Sequence, residues 1–251
     1  MSDNDGEFGK KLSMAIAQGL QVVVVHGGGP QINAALAAAG IESSFVGGFR
    51  VTTPETFDVV EEVLSNQVGP EVASTLTKSG VAALAISGRH SGTLFAHKQT
   101  QLVDGTAADL GLVGEVERVD VAAIDVLLEK KVTPVISPIA NDVTGDGGLN
   151  VNADIAAAAV SGALQADELI IMTDVPGIYR NWPDTTSLIE KISADELEQI
   201  KSTFAEGMAP KVQACLDAVA AGARAVRIID GRDPAAFALA LANTGGTLVV
   251  A

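Results

Sequence analysis

Apolar and polar positions alternate in blocks along this chain, and the blocks switch between two periods. Residues 8–18 pattern as a helix and lead into a strand over 21–25, where Val22 to Val25 are four consecutive β-branched residues. Three bare glycines, Gly27 to Gly29, follow, and then a helix that opens with Pro30 and closes at Gly40. The run FDVVEEVLSNQV puts Phe57, Val60, Leu64 and Val68 on one helical stripe and leaves Glu61 and Glu62 off it. Segments 82–87 and 93–98 pattern as strands around a turn at Gly88 to Gly92. A helix over 121–131 precedes a buried strand over 132–139, and a helix over 154–164 precedes a strand over 168–173. Ser193 stands three residues before Glu196, the spacing of a capping box. A helix from Lys211 to Ala221, a strand over 225–230, a helix capped by Asp233 and a strand over 247–250 complete the chain.

Strand–helix alternation at this rhythm predicts an α/β fold, a mostly parallel sheet with helices on both faces. Ligands in such folds bind beyond the carboxyl ends of strands. Three segments fall there: Gly27 to Gly29, NDVTGDGGLNVNAD and TDVPGIY. The polar, glycine-rich stretch 141–148 is the candidate hinge, which divides the chain into lobes 1–148 and 149–251.

Composition narrows the chemistry. Apolar residues make up 47% of the 251 positions but aromatics only 4%, so the core must be built from Val, Ala, Leu and Ile. Thirty-one acids against 16 bases give a formal charge of −15. Nucleic-acid and anionic-membrane binding need clustered Lys and Arg, so this balance argues against both. The single cysteine, Cys215, lies in an apolar helical pattern and is expected to pack as a small core residue. No apolar run reaches the ~18–20 residues of a membrane span. With no signal-peptide pattern at the acidic start, a cytoplasmic location is expected.

Within this frame several stretches can carry chemistry. The amides of HGGG at a helix N-terminus form an anion site, or else a tight turn needed only for packing; the run matches neither GxxxxGK[ST] nor GxGxxG. Arg50, after Gly47 and Gly48, either forks onto a substrate carboxylate or is an ordinary surface arginine. In NVNAD, Asn152 or Asp154 can cap the next helix, or a carboxylate there can orient cationic side chains. TDVPGIY is either a plain turn or a nucleotide-bordering one. Lys211 sits near a helix start, where the dipole does not favour a cation, so a role in neutralising a transferring phosphoryl group is open to it. His26, His90 and His97 lack metal-ligand spacing and are expected to be structural; no GxSxG is present.

The order of VVHGGGPQI, GGFRVT, ISGRHSGTLFAHK, LGLVGEVE, PVISPIANDVTGDGGLNVNAD, TDVPGIY, GMAPKVQAC and VRIIDGRDP resembles the N-acetylglutamate kinases of the amino acid kinase family, from about Gly9 onward. The resemblance implies a three-layer αβα sandwich, with acetylglutamate in lobe 1–148 and ATP in lobe 149–251. Gly28 and Gly29 would donate N–H bonds to phosphoryl or substrate oxygens. Arg50 and Asn150 would hold the acetylglutamate. Lys211 would stabilise the transferring phosphoryl, with Asp154 orienting the catalytic ammonium groups. Thr173, Asp174, Gly177, Tyr179 and Asp230 would border ATP, and Mg2+ would arrive with the nucleotide rather than in a protein cage. The attacking carboxylate is already ionised at neutral pH, so no general base is implied. A homodimer or larger homo-oligomer is implied too, with the Phe57–Val68 stripe either its face or part of the monomer's core.

The sequence departs from that family in one place. Family members open with a strand ending in KxGG, whose lysine is a second phosphoryl-stabilising cation. Met1 falls about where the loop after that strand would end, and Lys10 and Lys11 lie in a helical stretch. The chain as written is therefore expected to turn over poorly. Two other readings stand beside the acetylglutamate kinase: a kinase for a related acid such as acetylaminoadipate, and a non-catalytic acetylglutamate or nucleotide sensor.

Overall fold

The blocks of the pattern fold as follows in the computed structural model, which describes residues 7–102, 104–204, 208–233 and 235–251. The first element is α1 (Glu7–Ala17). Then come β1 (Val24–Val25), α2 (Gly29–Ala38), the hairpin β2 (Phe45–Val46) and β3 (Phe49–Arg50), α3 (Pro54–Glu61), a π-helical segment (Glu62–Val68) and α4 (Gly69–Lys78). They lead to β4 (Ala83–Ser87), β5 (Leu94–Lys98), β6 (Val113–Val119), α5 (Ala122–Glu129), β7 (Thr133–Ser137), β8 (Ile139–Asp142), β9 (Gly148–Val151) and α6 (Ala153–Ala163). The remainder comprises β10 (Leu169–Thr173), β11 (Lys191–Ser193), α7 (Ala194–Ile200), α8 (Ala209–Ala220), β12 (Ala225–Asp230), α9 (Ala236–Leu241) and β13 (Thr247–Val250).

The described residues divide into two units, one of 21–157 and one joining the stretch up to Leu20 to 158–251. The division falls after Ala157 rather than at 148, and the first helix goes with the later unit. Phe8 of α1 packs its ring 4.8 Å from that of Phe237 on α9, which ties the two ends of the sequence together.

In the 21–157 unit, β1, β7 and β4 form a parallel sheet with β7 in the middle. Every residue of β7 is buried, as expected of a strand flanked on both sides. The strand expected over 21–25 is reduced to Val24–Val25, because β1 lies at the sheet edge and pairs only with β7. Strands β5, β6, β9 and β8 close into a small barrel. The stretch 141–148 is not a hinge: β8 and β9 are antiparallel around it, and the Asp142 carboxylate accepts from the Thr144 N–H at 2.8 Å. Its glycines serve a hairpin turn within one unit.

The stripe read from FDVVEEVLSNQV spans α3 and the π segment. Phe57, Val60, Leu64 and Val68 are all buried and pack with Ile32 and Leu36 of α2. The stripe is therefore monomer core, and of the two alternatives the dimer face does not hold for these side chains. An opposing helix already covers those side chains. In the 158–251 unit the sheet order is β10, β12, β13, β11, with β12 and β13 antiparallel and the other pairs parallel. Its core gathers Val226, Ile228, Leu197, Val212 and Cys215, the last fully buried as expected. The capping box is present: the Ser193 hydroxyl accepts from the Glu196 N–H at 3.2 Å.

Candidate functional site

The glycine run sits where β1 hands over to α2. Gly28 is the N-cap of α2, with no side-chain cap, and Pro30 lies in the first turn. The Gly28 and Gly29 amides have no backbone acceptor among the described residues, so a helix N-terminus is left with open donors. The two glycines differ in their surroundings. A Cβ on Gly28 would stand 2.7 Å from Leu64 Cδ2, whereas one on Gly29 would meet nothing within 4 Å. Gly28 is bare because the π segment presses on it; Gly29 borders open space.

Arg50 is not a surface arginine. It is 8% exposed, on the second strand of the β2–β3 hairpin, whose turn residues Gly47 and Gly48 have φ of 56° and 84°. Its guanidinium donates to Asn33 Oδ1 at 2.8 Å and to Ser43 Oγ, and lies 4.6 Å over the Phe45 ring. Asn33 stands four residues after Gly29 in α2, so it lies one turn above Gly29 on the same helical face. No carboxylate of a described residue pairs with Arg50. Burial pushes its pKa down from the ordinary value. A buried cation held only by neutral partners calls for an anion from outside.

Asn150, on β9, joins this arrangement through Thr52. Its side-chain amide donates to Thr52 Oγ1 at 3.1 Å, and Thr52 Oγ1 donates to the Arg50 carbonyl at 2.8 Å. Thr52 is completely buried, so the pair expected from the motifs is welded by a hydroxyl between them. Nearby, Asn152 rather than Asp154 caps α6: its Oδ1 accepts from the N–H groups of Asp154 at 2.9 Å and Ile155 at 3.3 Å. Asp154 occupies the first turn of α6, and its backbone N–H is one of the two that Asn152 caps. Lys211 lies in the first turn of α8, in the other unit.

In the 158–251 unit the remaining candidates gather at the carboxyl ends of two parallel strands. Thr173 and Asp230 are register partners at the ends of β10 and β12. Both oxygens of Asp230 are engaged by Arg232, at 3.0 Å to Nε and 3.0 Å to Nη2, and Nη2 also donates to the Asp174 carbonyl. The Arg232 hydrogen bond holds the Asp230 carboxyl below its ordinary range. Asp230 is therefore a support, and Arg232 is the group that spans from β12 to the turn after β10. Gly177 is buried against β13: a Cβ there would stand 2.4 Å from Thr247 Oγ1, which accepts from the Ile178 N–H at 2.8 Å. Tyr179 stands beside Trp182, ring centroids 5.4 Å apart.

Residues 2–230 match the amino acid kinase family. The chain belongs to that family. A protein named acetylglutamate kinase from Paenarthrobacter aurescens (strain TC1) is 48% identical over 91% of this chain and 75% of the relative. One of the same name from Salinispora tropica is 46% identical over 90% of this chain and 76% of the relative. Among solved structures, that of smu.665 from Streptococcus mutans UA159 superposes with a TM-score of 0.79 at 29% identity, covering 100% of this chain and 93% of that one.

Amino acid kinase motifs marked Arg50, Asn150, Asp154 and Lys211 but passed over Asn33, Thr52 and Arg232. Each of these acts through a tertiary partner, so no spacing rule exposes it. Arg232 carried one signal, its place in IIDGRDP directly after a strand.

Proposed function

We propose that the chain transfers the γ-phosphoryl group of ATP to the side-chain carboxylate of N-acetyl-L-glutamate, giving an acyl phosphate, as its acetylglutamate kinase relatives are named to do. One observation carries the reading beyond the family: Arg50, buried and without a carboxylate partner among the described residues, donates to Asn33, which stands one helical turn from the open amide of Gly29. A fork-shaped cation and a helix N-terminus are both anion partners, which suits a small dicarboxylate.

In this reading the 21–157 unit takes acetylglutamate. Arg50 pairs with one carboxylate and Asn150 with the acetamido region, while Gly28 and Gly29 donate to oxygens at the reacting end. The 158–251 unit takes ATP against Thr173, Asp174 and Tyr179, with Arg232 and Asp230 bracing the turn and Gly177 letting it close on β13. The role assigned to Lys211 is to neutralise charge on the transferring phosphoryl group, and that of Asp154 is to supply a carboxylate for orienting cationic groups. The attacking carboxylate is ionised at neutral pH, so the protein's task is positioning and charge neutralisation, not proton removal. Mg2+ would come bound to the triphosphate and would supply charge neutralisation there. The fit is to a metal held by phosphate oxygens, since both Asp230 oxygens are spent on Arg232. A homo-oligomeric state and a cytoplasmic location go with this biosynthetic role.

The test is ATP consumption with acetylglutamate, with hydroxylamine trapping of the acyl phosphate as a hydroxamate. Acetylaminoadipate, one methylene longer, serves as the competitor. Hydroxamate formation with acetylglutamate preferred is the expected result; preference for the longer acid reassigns the substrate, and binding without hydroxamate refutes the reaction.

A further inference from the structure

His26 ends β1 immediately before the glycine loop, and no role in the reaction proposed above falls to it. The residue is only 7% exposed, yet Nε2 has no hydrogen-bond partner among the described residues. Nδ1 lies 3.1 Å from the carbonyl oxygen of Gly27. Nε2 is set against Gly69, the first residue of α4, where a Cβ would stand only 3.1 Å from it. A purely structural position of this kind favours a hydrocarbon ring, because a buried polar atom without a partner is costly.

The tautomer follows from these contacts. With the proton on Nδ1, the ring donates to the Gly27 carbonyl and Nε2 is one bare acceptor. With the proton on Nε2, that N–H has no acceptor and the Nδ1 lone pair faces the carbonyl lone pairs. The first arrangement leaves one defect and the second leaves two. Burial pushes the ring's pKa down, which keeps it neutral.

The Gly27 carbonyl and the Gly28 N–H are the two edges of one planar trans peptide, so they point in opposite directions. Between two glycines that plane turns easily, since neither side chain restrains it. Whatever holds the carbonyl holds the amide. We propose that His26, as its Nδ1–H tautomer, is a positioning residue that fixes the Gly28 N–H toward the phosphoryl or substrate oxygen. The orphan Nε2 is what remains of a ring kept for its other nitrogen. The proposal rests on the reading of Gly28 as a ligand donor.

The experiment compares His26→Phe, which keeps the shape without the donor, with His26→Asn, whose amide N–H can stand where Nδ1–H stood, in the full chain. His26→Phe is expected to lower kcat by about tenfold to a hundredfold, a fraction of the loss on deleting a donor outright. KM for both substrates should stay within about threefold, and Tm should hold or rise. His26→Asn should recover kcat to within about threefold of wild type. Nitrogen-15 spectra of the imidazole should place the proton on Nδ1, and the Gly28 amide resonance should move in the Phe variant and return in the Asn variant. Wild-type kcat in the Phe variant overturns the proposal, as does failure of Asn to rescue or a proton on Nε2. If the Phe variant does not fold, the wild-type tautomer and the Asn kinetics decide. If wild-type protein ignores acetylglutamate, the functional reading fails on its own, and the tautomer and the Gly28 resonance still decide the role of His26.

Discussion

Two buried arginines, one in each unit, are built on opposite principles. Arg227 on β12 is 2% exposed and fully answered by its own protein: Nε donates to Glu168 at 2.6 Å, Nη1 to the Gly245 carbonyl at 2.8 Å and Nη2 to Asn243 Oδ1 at 2.5 Å. Arg50 is 8% exposed and meets only a serine, an amide and a ring face. Desolvating a guanidinium is costly in either place, and only Arg227 has that cost offset by an internal carboxylate. A cation supplied with its own anion fastens a fold; one left without is kept for a ligand.

The contrast can be broken by mutation, and the largest effect is expected on stability in the second unit. Arg227→Met strands Glu168 and frees the loop that carries Asn243 and Gly245. Urea denaturation should show a loss of about 3–4 kcal/mol. Arg50→Met should leave stability within about 1 kcal/mol, because it strands no carboxylate. It should instead lower kcat/KM for acetylglutamate about a hundredfold, or about 2.7 kcal/mol of transition-state binding, in steady-state assays. If Arg50→Met unfolds the protein while Arg227→Met spares it, the distinction between the two is wrong.

The glycine loop sharpens the same contrast on a smaller scale. Gly28→Ala drives a methyl group into Leu64 and should cost about 2 kcal/mol in denaturant unfolding. Gly29→Ala meets open space at the start of a helix, so stability should hold or rise by up to ~1 kcal/mol, while catalysis falls where the methyl group fills ligand space. A stable, fully active Gly29→Ala would remove that amide from the site.

The smallest effects belong to Arg232, an exposed side chain. Arg232→Gln should change stability by less than ~1 kcal/mol and raise KM for ATP a few-fold without touching KM for acetylglutamate. It should also alter the acid limb of stability. The Asp230 carboxyl is depressed below its ordinary value, chiefly by its hydrogen bond from Arg232. That contribution is present above the unfolded carboxyl's pKa and is lost as pH falls through the lower folded value. Thermal unfolding followed below about pH 4 should therefore slope less steeply in the Gln variant than in wild type.

How much of this was legible in the sequence varied with the range of the forces involved. Helices and buried strands were readable because their periods are local: β7 and β12 lie where apolar β-branched runs marked them, and the Ser193–Glu196 capping box is in place. The barrel strands β6 and β9 went unread: the charges in VGEVERV and the glycine and asparagine in GLNV interrupt the apolar pattern, and both strands are held by partners distant in the chain. The stripe from Phe57 to Val68 was correctly seen as apolar. Periodicity carries no information about whether the covering surface belongs to the same chain. The site shows the same split. Arg50 stood out as a polar residue after two glycines, Lys211 as a cation at a helix start and Asn150 through the family motif, but the burial of Arg50 and the link from Asn150 to Thr52 did not.

The sequence by itself determined the α/β alternation, the position of the glycine loop between a strand and a helix, and the motif order that marks the family. These follow from local stereochemistry: β-branched runs extend, proline opens helices and glycine tolerates close approach. Only the tertiary structure decided that Arg50 is buried without a carboxylate while Arg227 is buried with one, and that Gly28 is bare because a π segment presses on it. Burial and charge compensation depend on residues far apart in the chain, and their cost is set only when the fold removes water from between them.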